Sequence, residues 1–477
     1  APPDVVPGQR ATASRRCNPH DPRWGPCLLL GSSSAQSSRS DALRPGQCFC
    51  GADRNHRHTG WVSALVAATT AHATGSIDAG SSADALSLGR HRIWPPVVLA
   101  PMAGVTDTPY RVICSRRGAP LCVNEMVTAR AIVERHAPTL AMLDHHPTEP
   151  LRSLQLYGTD PHYLSEAVRY LVANRPLDHL DLNFGCPAPK VTRLGGGAAL
   201  PFKRPLFARM IRSAVEAAGS IPVTVKFRMG VDEQHLTFLD AGRIAQDEGV
   251  AWVALHARTA EQLYAPSARW EAIGELVAAL EVPVLGNGDI FEATDALDMI
   301  DRTGCAGVVI GRGCLGKPWL FSDLRAVFEG VEVPPPPTLG EACATALEHA
   351  GEAVAWRAGH EALPPRRSRA AARRARTPQS AENRAITAFR KHLSWYLKGY
   401  PTGGEVRRAA SQVSTLADVE ALLGSLNPAA ELIPGNERLV RSHSGGPRRV
   451  ALPDGWLNDS EEDPRLDPAA EAFTSGG

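Results

Sequence analysis

Short runs of apolar, often β-branched residues alternate with amphipathic segments of about ten to fifteen residues between positions 91 and 330. This alternation predicts βα units whose strands lie side by side in a parallel sheet. Eight runs predict strands: residues 97–100, 121–126, 151–156, 179–183, 222–227, 252–256, 283–286 and 307–310. Eight parallel strands close a (β/α)8 barrel of the TIM type, which is the predicted α/β fold. A doubly wound sheet is the competing fold, but the G-x-G-x-x-G turn typical of it does not follow the first run.

The barrel pattern is confined to residues 91–332, and the segments around it differ in character. Residues 1–90 are rich in Ser, Arg, His, Pro and Gly without a sustained period, which predicts a disordered extension. Four consecutive prolines after Val333 mark a linker. Beyond that point, residues 333–430 predict a C-terminal helical domain with a basic insertion at 364–380, and residues 431–477 predict a disordered tail.

The 51 Lys and Arg residues nearly balance the 50 Asp and Glu residues of this 477-residue chain, but their distribution is uneven. Between Arg366 and Arg408, twelve cations accompany only two carboxylates. Residues 389–399 interleave cations with aromatics at helical spacing, which predicts phosphate contact by the cations with apolar packing beneath them. The candidate phosphate-binding cations of this segment are Arg390, Lys391 and Lys398. A solvated linker is the alternative interpretation, and it suits residues 364–379.

Other features limit the compartment and the partners. No run reaches the roughly 18 apolar residues of a membrane span, and residues 1–16 lack the apolar core of a secretory signal. The ten cysteines are scattered through a long chain, which indicates a reducing compartment. We therefore expect a cytoplasmic monomer without membrane association. Cys48 and Cys50 lack the paired C-x2-C spacing of zinc sites, so no metal is predicted.

In a barrel of this type the active site is built from the loops that follow the strands. Gln155, Lys226 and His256 lie in the third, fifth and sixth predicted strands among apolar neighbours. Each would be costly to bury without a partner. A single residue of this kind is more often a satisfied structural group, whereas three in the same register predict one polar ligand in the mouth of the barrel.

The last two predicted strands indicate what this ligand carries. Asn287-Gly288-Asp289 and Gly311-Arg312-Gly313 follow them, where barrels bind phosphate through glycine N–H groups. The small residues of Pro101-Met102-Ala103, after the first strand, leave room for a flat ring. A phosphate together with a polar-edged ring describes flavin mononucleotide (FMN). Lys226 would then stabilise the negative charge of the reduced ring.

Cys186 follows the fourth predicted strand in the sequence Asn183-Phe184-Gly185-Cys186-Pro187. A thiol with a pKa near 8.5 is mostly protonated at neutral pH, so it can act as a general acid facing the cofactor. The alternative is a small buried apolar residue, the usual role of a free cysteine. Lys190, Arg193 and a glycine-rich loop follow directly, and they suit a polyanionic substrate.

Several of these motifs together resemble the tRNA-dihydrouridine synthases, most closely the bacterial B-type branch. The resemblance rests on Leu99-Ala100-Pro101-Met102-Ala103-Gly104, the Asn183 to Lys190 stretch, Lys226-Phe227-Arg228-Met229-Gly230, His256-Ala257-Arg258-Thr259 and Gly286-Asn287-Gly288-Asp289-Ile290. It implies an FMN barrel followed by a helical tRNA-binding domain, which reduces uridine to dihydrouridine with NADPH. By matching position, Cys186 protonates C5 of the uracil, Asn183 contacts the uracil and Arg258 contacts the substrate. The sequence departs from the family pattern at Pro201 and Pro266, which bears on substrate fit.

Two other functions are compatible with parts of the pattern. A related flavin barrel of the dihydroorotate dehydrogenase kind would act on a free pyrimidine, but it would not need a basic helical module. An RNA-binding protein that has kept the fold and lost the reaction is the other alternative. The presence of Cys186, Lys226 and His256 argues against it.

Overall fold

The computed structural model describes residues 85–360, 378–442 and 445–464. The predictions made for residues 1–84, for most of the basic insertion and for residues 465–477 lie outside this part of the chain. Within it, nine parallel strands form one sheet. They are β3 (Val97–Leu99), β4 (Leu121–Cys122), β5 (Val127–Thr128), β6 (Ser153–Tyr157), β7 (His179–Phe184), β8 (Val223–Arg228), β9 (Val253–His256), β10 (Val284–Asn287) and β11 (Gly307–Ile310).

The sheet closes through the second predicted strand, which the structure divides into β4 and β5. β4 pairs with β3, whereas β5 pairs with β6, so the two pieces lie at opposite ends of the strand order. A parallel bridge between Val123 and Ser153 joins these ends. The division occurs where the buried side chain of Asn124 accepts a 2.6 Å hydrogen bond from the Gln155 N–H. The predicted (β/α)8 barrel is therefore confirmed.

Helices cover the outside of the barrel and bury their apolar faces against the strands. They are α1 (Thr108–Arg116), α2 (Ala129–Val133), α3 (Ala137–Ala141), α4 (Pro161–Asn174), α5 (Pro189–Thr192), α6 (Arg204–Ala218), α7 (Phe238–Asp247), α8 (Glu271–Ala279), α9 (Ala293–Thr303) and α10 (Leu320–Glu329). The start of α4 shows why the sequence forms a helix here. Asp160 caps it by accepting a hydrogen bond from the His162 N–H, and Pro161 occupies the first turn.

A two-stranded hairpin precedes the barrel, and most of it lies within residues 1–90, which were predicted as an extension. β1 (Leu86–Leu88) pairs antiparallel with β2 (His91–Ile93). Leu86, Leu88 and Ile93 are buried in one cluster with side chains of the barrel interior, among them Val98 and Leu285. The hairpin thus fills the end of the barrel opposite the C-terminal loops. Each strand has only three residues, which is too short for the sequence pattern to show a period.

The C-terminal helices form a second core of their own. They are α11 (Leu339–His360), α12 (Pro378–Leu397), α13 (Gly403–Ala410) and α14 (Leu416–Gly424). This helical domain packs closely on the barrel. The ring of Tyr110 lies 5.2 Å from that of His392. A side chain at Gly316 would collide with the backbone of Trp395.

The segment beyond residue 431 corrects the prediction of a disordered tail in its described part. Residues 431–442 and 445–464 run over the barrel without regular structure. Trp456 is only 4% exposed, and its indole N–H donates a 2.9 Å hydrogen bond to the carbonyl of Ala199. One tryptophan in a polar segment gives no periodic signal, so the sequence pattern could not show that it packs. None of the helices described is long and apolar enough to cross a membrane.

Candidate active site

The carboxyl ends of the barrel strands surround a cavity of about 550 Å³. Most of the predicted site residues line it: Pro101, Met102, Ala103, Asn183, Cys186, Lys226, His256, Arg258, Asn287, Gly288, Asp289, Gly311, Arg312 and Lys391. Trp395 of the helical domain adds to the wall beside Lys391. The barrel and the helical domain therefore share this cavity. The predicted residues that do not line it are Gln155, Lys190, Arg193, Arg390 and Lys398.

Lys226 and His256 face the cavity from β8 and β9. Burial, with repulsion from Arg228, lowers the pKa of Lys226 to about 8. No hydrogen bond or ion pair to its ammonium group is found in the described part of the chain. Burial and the nearby cations also lower the pKa of His256 well below its usual value, so the imidazole is neutral. Lys226 is thus a cation that faces open space, and the charge of Asp181 partly offsets the effect of burial on its pKa.

Gln155 lies beneath the cavity in a buried hydrogen-bonded chain. Its amide donates a 2.7 Å hydrogen bond to Asp181, and its carbonyl accepts a 2.8 Å bond from the amide of Asn183. Burial raises the pKa of Asp181 to about 6. Gln155, predicted to touch a cofactor, is placed here to orient Asn183.

Cys186 lies in the loop after β7, and Asn183 fixes the conformation of that loop. The side-chain oxygen of Asn183 accepts hydrogen bonds from the N–H groups of Gly185 (3.1 Å) and Cys186 (3.0 Å). Burial raises the pKa of the Cys186 thiol above its usual value, against smaller opposing effects that include the charges of Arg228 and Lys190. The thiol is therefore protonated at neutral pH, as a general acid must be.

The loops after β10 and β11 form a narrow backbone cradle. A side chain at Gly313 would lie 2.0 Å from the carbonyl oxygen of Ile290, and one at Gly288 would lie 2.7 Å from Ala268. The amide of Asn287 donates a 2.6 Å hydrogen bond to the carbonyl of Val309, which ties the two loops together. Arg312 adds a guanidinium group on the cavity side. Such an arrangement can hold a phosphate.

The buried guanidinium group of Arg258 forms an ion pair with Asp289, which is 21% exposed, and this bears on the role predicted for Arg258. The guanidinium group of Arg258 bonds both carboxylate oxygens of Asp289, at 2.7 and 2.6 Å, and the carbonyl of Pro266 at 2.7 Å. Asp289 also lies 3.3 Å from Arg312. Arg258 was expected to contact substrate, but a side chain 2% exposed and bonded in this way holds the loop in place.

The cations of the helical domain also have protein partners. Arg390 donates to the carbonyls of Val413 and Gln412. Lys391 donates to the carbonyl of Gly104, and Lys398 donates to that of Val440 at 2.6 Å. Arg390 therefore joins two parts of the helical domain, and its contact with phosphate stays a prediction. The two lysines are exposed and keep other N–H groups available.

Sequence reasoning missed Arg228, which lies on the same face of β8 as Lys226. Its guanidinium group bonds the carbonyls of Gly185 (3.0 Å), Thr259 (2.9 Å) and Leu263 (3.0 Å), and thereby joins the Cys186 loop to the loop after β9. Arg228 could have been found from its spacing, because residues two apart in a strand point to the same face and Lys226 faces the cavity.

Lys190 and Arg193 are exposed in and after α5, near the cavity mouth. The described residues contain no group of three or more His, Cys, Asp or Glu side chains that could hold a metal ion.

The fold and this cavity define a barrel enzyme whose reactive groups converge on the carboxyl ends of the strands. The family model described as "Dihydrouridine synthase (Dus)" matches residues 98–431. The chain therefore belongs to the dihydrouridine synthase family, and the resemblance based on its motifs is confirmed.

Named relatives agree with this membership. A "Probable tRNA-dihydrouridine synthase" of Mycobacterium tuberculosis (strain ATCC 25618 / H37Rv) is 47% identical over 403 residues, covering 82% of this chain and 97% of that protein. A protein of the same name from Mycobacterium leprae (strain TN) is 45% identical over 411 residues, covering 80% and 100%. "tRNA-dihydrouridine synthase B" of Xanthomonas axonopodis pv. citri (strain 306) is 37% identical over 334 residues, covering 69% and 92%.

Proposed function

We propose that this protein reduces uridine to 5,6-dihydrouridine in tRNA, with an FMN cofactor that NADPH reduces. The observation that carries the proposal is the placement of Cys186. A protonated thiol lines the same cavity as Lys226, whose ammonium group has no hydrogen bond or ion pair among the described residues. Reduction of a conjugated double bond needs a proton donor, and this donor must lie beside a site that can stabilise an anionic ring.

The residues of the cavity fit both the phosphate and the ring of FMN. A volume of about 550 Å³ lies within the usual range of about 300–1,000 Å³ for cofactor and ligand sites. Gly288, Gly311 and Arg312 would hold the phosphate. Met102 and its neighbours would contact the ring, with Lys226 and His256 at its polar edge. A partnerless buried ammonium group is costly, so an anionic ligand would offset that cost.

When bound and reduced, FMN supplies the hydride that adds to C6 of the uracil. The chain itself supplies the proton at C5, since the Cys186 S–H bond breaks as the C5–H bond forms and leaves a thiolate. Asn183 holds the Cys186 loop through the two backbone N–H groups described above. Arg228 stabilises the resulting thiolate electrostatically, because its cation is one of the charges acting on the Cys186 thiol.

The shared wall of the cavity supports tRNA as substrate over a free pyrimidine. Lys391 and Trp395 reach the cavity from α12, so a substrate at Cys186 lies beside the helical domain. A free pyrimidine would not need this domain. An RNA-binding protein without activity would have no use for the protonated thiol or for the free ammonium group of Lys226.

Two measurements test the proposal. The purified protein should be yellow, and NADPH should bleach the flavin absorbance. Mass spectrometry of tRNA nucleosides from cells with and without the gene should show loss of dihydrouridine at one or more positions when the gene is absent. A flavin-free protein that binds no added FMN, or unchanged dihydrouridine in the deletion strain, would contradict the proposal.

A further inference from the structure

A C-terminal strap, residues 445–464, crosses the mouth of the cavity beside Cys186. At one end, the N–H of Arg448 donates a 2.8 Å hydrogen bond to the carbonyl of Glu261, in the loop after β9. At the other end, Trp456 packs on Gly195, in the turn that follows the Cys186 loop. The family model ends at residue 431, so the strap lies outside the part of the chain that it matches.

The end of the strap that contains Trp456 is firmly attached to the barrel. A side chain at Gly195 would lie 2.4 Å from the Trp456 ring, so only glycine leaves room for it. Lys203 is completely buried, and its ammonium group donates 2.6 Å hydrogen bonds to the carbonyl of Asp459 and the carboxylate of Glu462. A buried lysine whose ammonium group bonds two residues of the strap indicates a stable contact.

The turn on which Trp456 packs is also connected to Cys186 itself. The N–H of Ala198 donates a 3.1 Å hydrogen bond to the carbonyl of Cys186. Arg228 joins the Cys186 loop to Leu263, next to the other end of the strap. The strap therefore spans the two loops that flank the thiol.

The charges of the strap are divided between its two ends. The acidic end pairs with α6, where Glu461 lies 2.8 Å from Arg204 and Asp463 lies 2.5 Å from Arg209. The other end carries Arg448 and Arg449, which are exposed and line the cavity. Neither guanidinium group has a hydrogen bond or ion pair within residues 85–360, 378–442 and 445–464.

Two adjacent arginines at the rim of a site, with no ion pair in the described part of the chain, can bind an anion with several acceptor oxygens. Phosphate groups match the planar guanidinium fork. The phosphate of FMN is already assigned to the loops after β10 and β11. The other phosphates of the proposed reaction belong to NADPH and to the RNA, and the RNA backbone is the one that lies beside Cys186 while the uracil reacts.

We propose that the strap is part of the RNA-binding surface, and that Arg448 and Arg449 bind phosphates flanking the target nucleotide. This inference rests on the function proposed above, and it assigns a substrate-positioning role to residues beyond the family domain. The acidic end and Trp456 hold the strap in place. The basic end contacts the RNA next to the thiol.

The test compares the full-length R448A/R449A double variant with the parent. Binding of tRNA to the flavin-loaded protein is measured by fluorescence anisotropy at several salt concentrations. We expect Kd to rise about tenfold at low salt, and the slope of log K against log salt to become shallower by about 1.4, since each single-strand phosphate contact contributes about 0.7. The R448K/R449K variant should restore most of the slope.

The matched control is R169A/R243A, which removes the same charge from exposed ion pairs on α4 and α7. Its tRNA affinity should equal that of the parent. The rate at which NADPH reduces the flavin should be the same in all variants, because neither arginine of the strap serves that step. A slower reduction in R448A/R449A, with unchanged tRNA binding, would mean that the arginines bind the nicotinamide cofactor and would overturn the proposal.

The two proposals fail in different ways. If the parent makes dihydrouridine but R448A/R449A binds tRNA as tightly as the control, the strap proposal is wrong and the function stands. If the parent binds tRNA through these arginines and makes no dihydrouridine, the proposed reaction is wrong and the strap remains an RNA contact. If the parent binds no tRNA, both are rejected.

Discussion

The side-chain oxygen of Asn183 accepts a 3.0 Å hydrogen bond from the backbone N–H of Cys186. Asn183 is itself held by the 2.8 Å bond from its amide to Gln155, which lies in the neighbouring strand β6. The position of the thiol is therefore set by a chain of polar contacts that begins inside the barrel. A disturbance of this chain should move the thiol without altering its chemistry.

We expect Asn183→Ala to lower the rate of dihydrouridine formation by about 10²-fold, because a displacement near 1 Å can have an effect of that size. Asn183→Asp separates the two contacts of the side chain, since it keeps an oxygen that can accept the two N–H groups of the loop but lacks the amide that bonds Gln155. Single-turnover measurements with NADPH-reduced protein would give the rate of dihydrouridine formation for each variant. Equal rates for Asn183→Ala and the parent would mean that the loop needs no such support.

The pKa of Lys226 predicts a pH dependence. Burial lowers this pKa from its usual value to about 8, so the ammonium charge is present below pH 8 and is lost as the pH rises through it. In the unfolded chain the group stays charged to a higher pH. The contribution of Lys226 to the free energy of unfolding of the cofactor-free protein should therefore rise between about pH 8 and pH 10.

Flavin reduction by NADPH should decline at high pH, where Lys226 loses its proton, if the charge of Lys226 is used. Lys226→Arg should remove that decline, because a guanidinium group stays charged. Lys226→Met should be slow at every pH. Stopped-flow reduction between pH 6 and pH 10 would measure the three profiles, and a parent profile that matches Lys226→Met would exclude the role of the charge.

The ion pair between Arg258 and Asp289 should matter for stability. Asp289→Asn keeps the shape of the side chain and its tolerance of the left-handed backbone at φ 58°. It removes the counter-charge of a guanidinium group that is 2% exposed. We expect a loss of about 3 kcal/mol in the free energy of unfolding, measured with urea.

The control for this prediction is Glu271→Gln, which breaks the exposed pair with Arg302. Exposed pairs contribute about 0–1 kcal/mol, so its urea midpoint should change little. Equal midpoints for the two variants would show that the Asp289 carboxylate does not support the fold.

Arg407 and Arg408 lie exposed on α13 and offer a test of tRNA contact by the helical domain. Arg407→Ala/Arg408→Ala should weaken tRNA binding and reduce the salt slope by about 1.8, if both contact a duplex region. Flavin content should remain at the parental level. An unchanged slope would assign tRNA binding to other surfaces.

The alternation of apolar runs and amphipathic segments was enough to predict the barrel, because each strand and its helix carry their own local period. The division of the second strand was not predictable, since it depends on a hydrogen bond between Asn124 and Gln155 in a different strand. For the same reason the sequence placed Arg258 with the substrate. Its partner Asp289 is 31 residues away and meets it only in the closed barrel.

The strap was missed because nothing local marks it. Trp456 is an isolated aromatic residue among polar neighbours, and its binding site consists of Gly195 and Ala199, which are more than 250 residues away. Charge complementarity between its acidic end and α6 is likewise visible only in three dimensions.

The central claim is that Cys186 supplies the proton at C5, and a single turnover tests it most directly. Parent, Cys186→Ala and the buried-thiol control Cys305→Ala are each reduced with NADPH, mixed with tRNA lacking dihydrouridine, and sampled for dihydrouridine by mass spectrometry. We expect equal flavin reduction in all three and a loss of about 10²–10⁴-fold in dihydrouridine formation in Cys186→Ala alone. Formation at the parental rate in Cys186→Ala would show that the proton comes from another group.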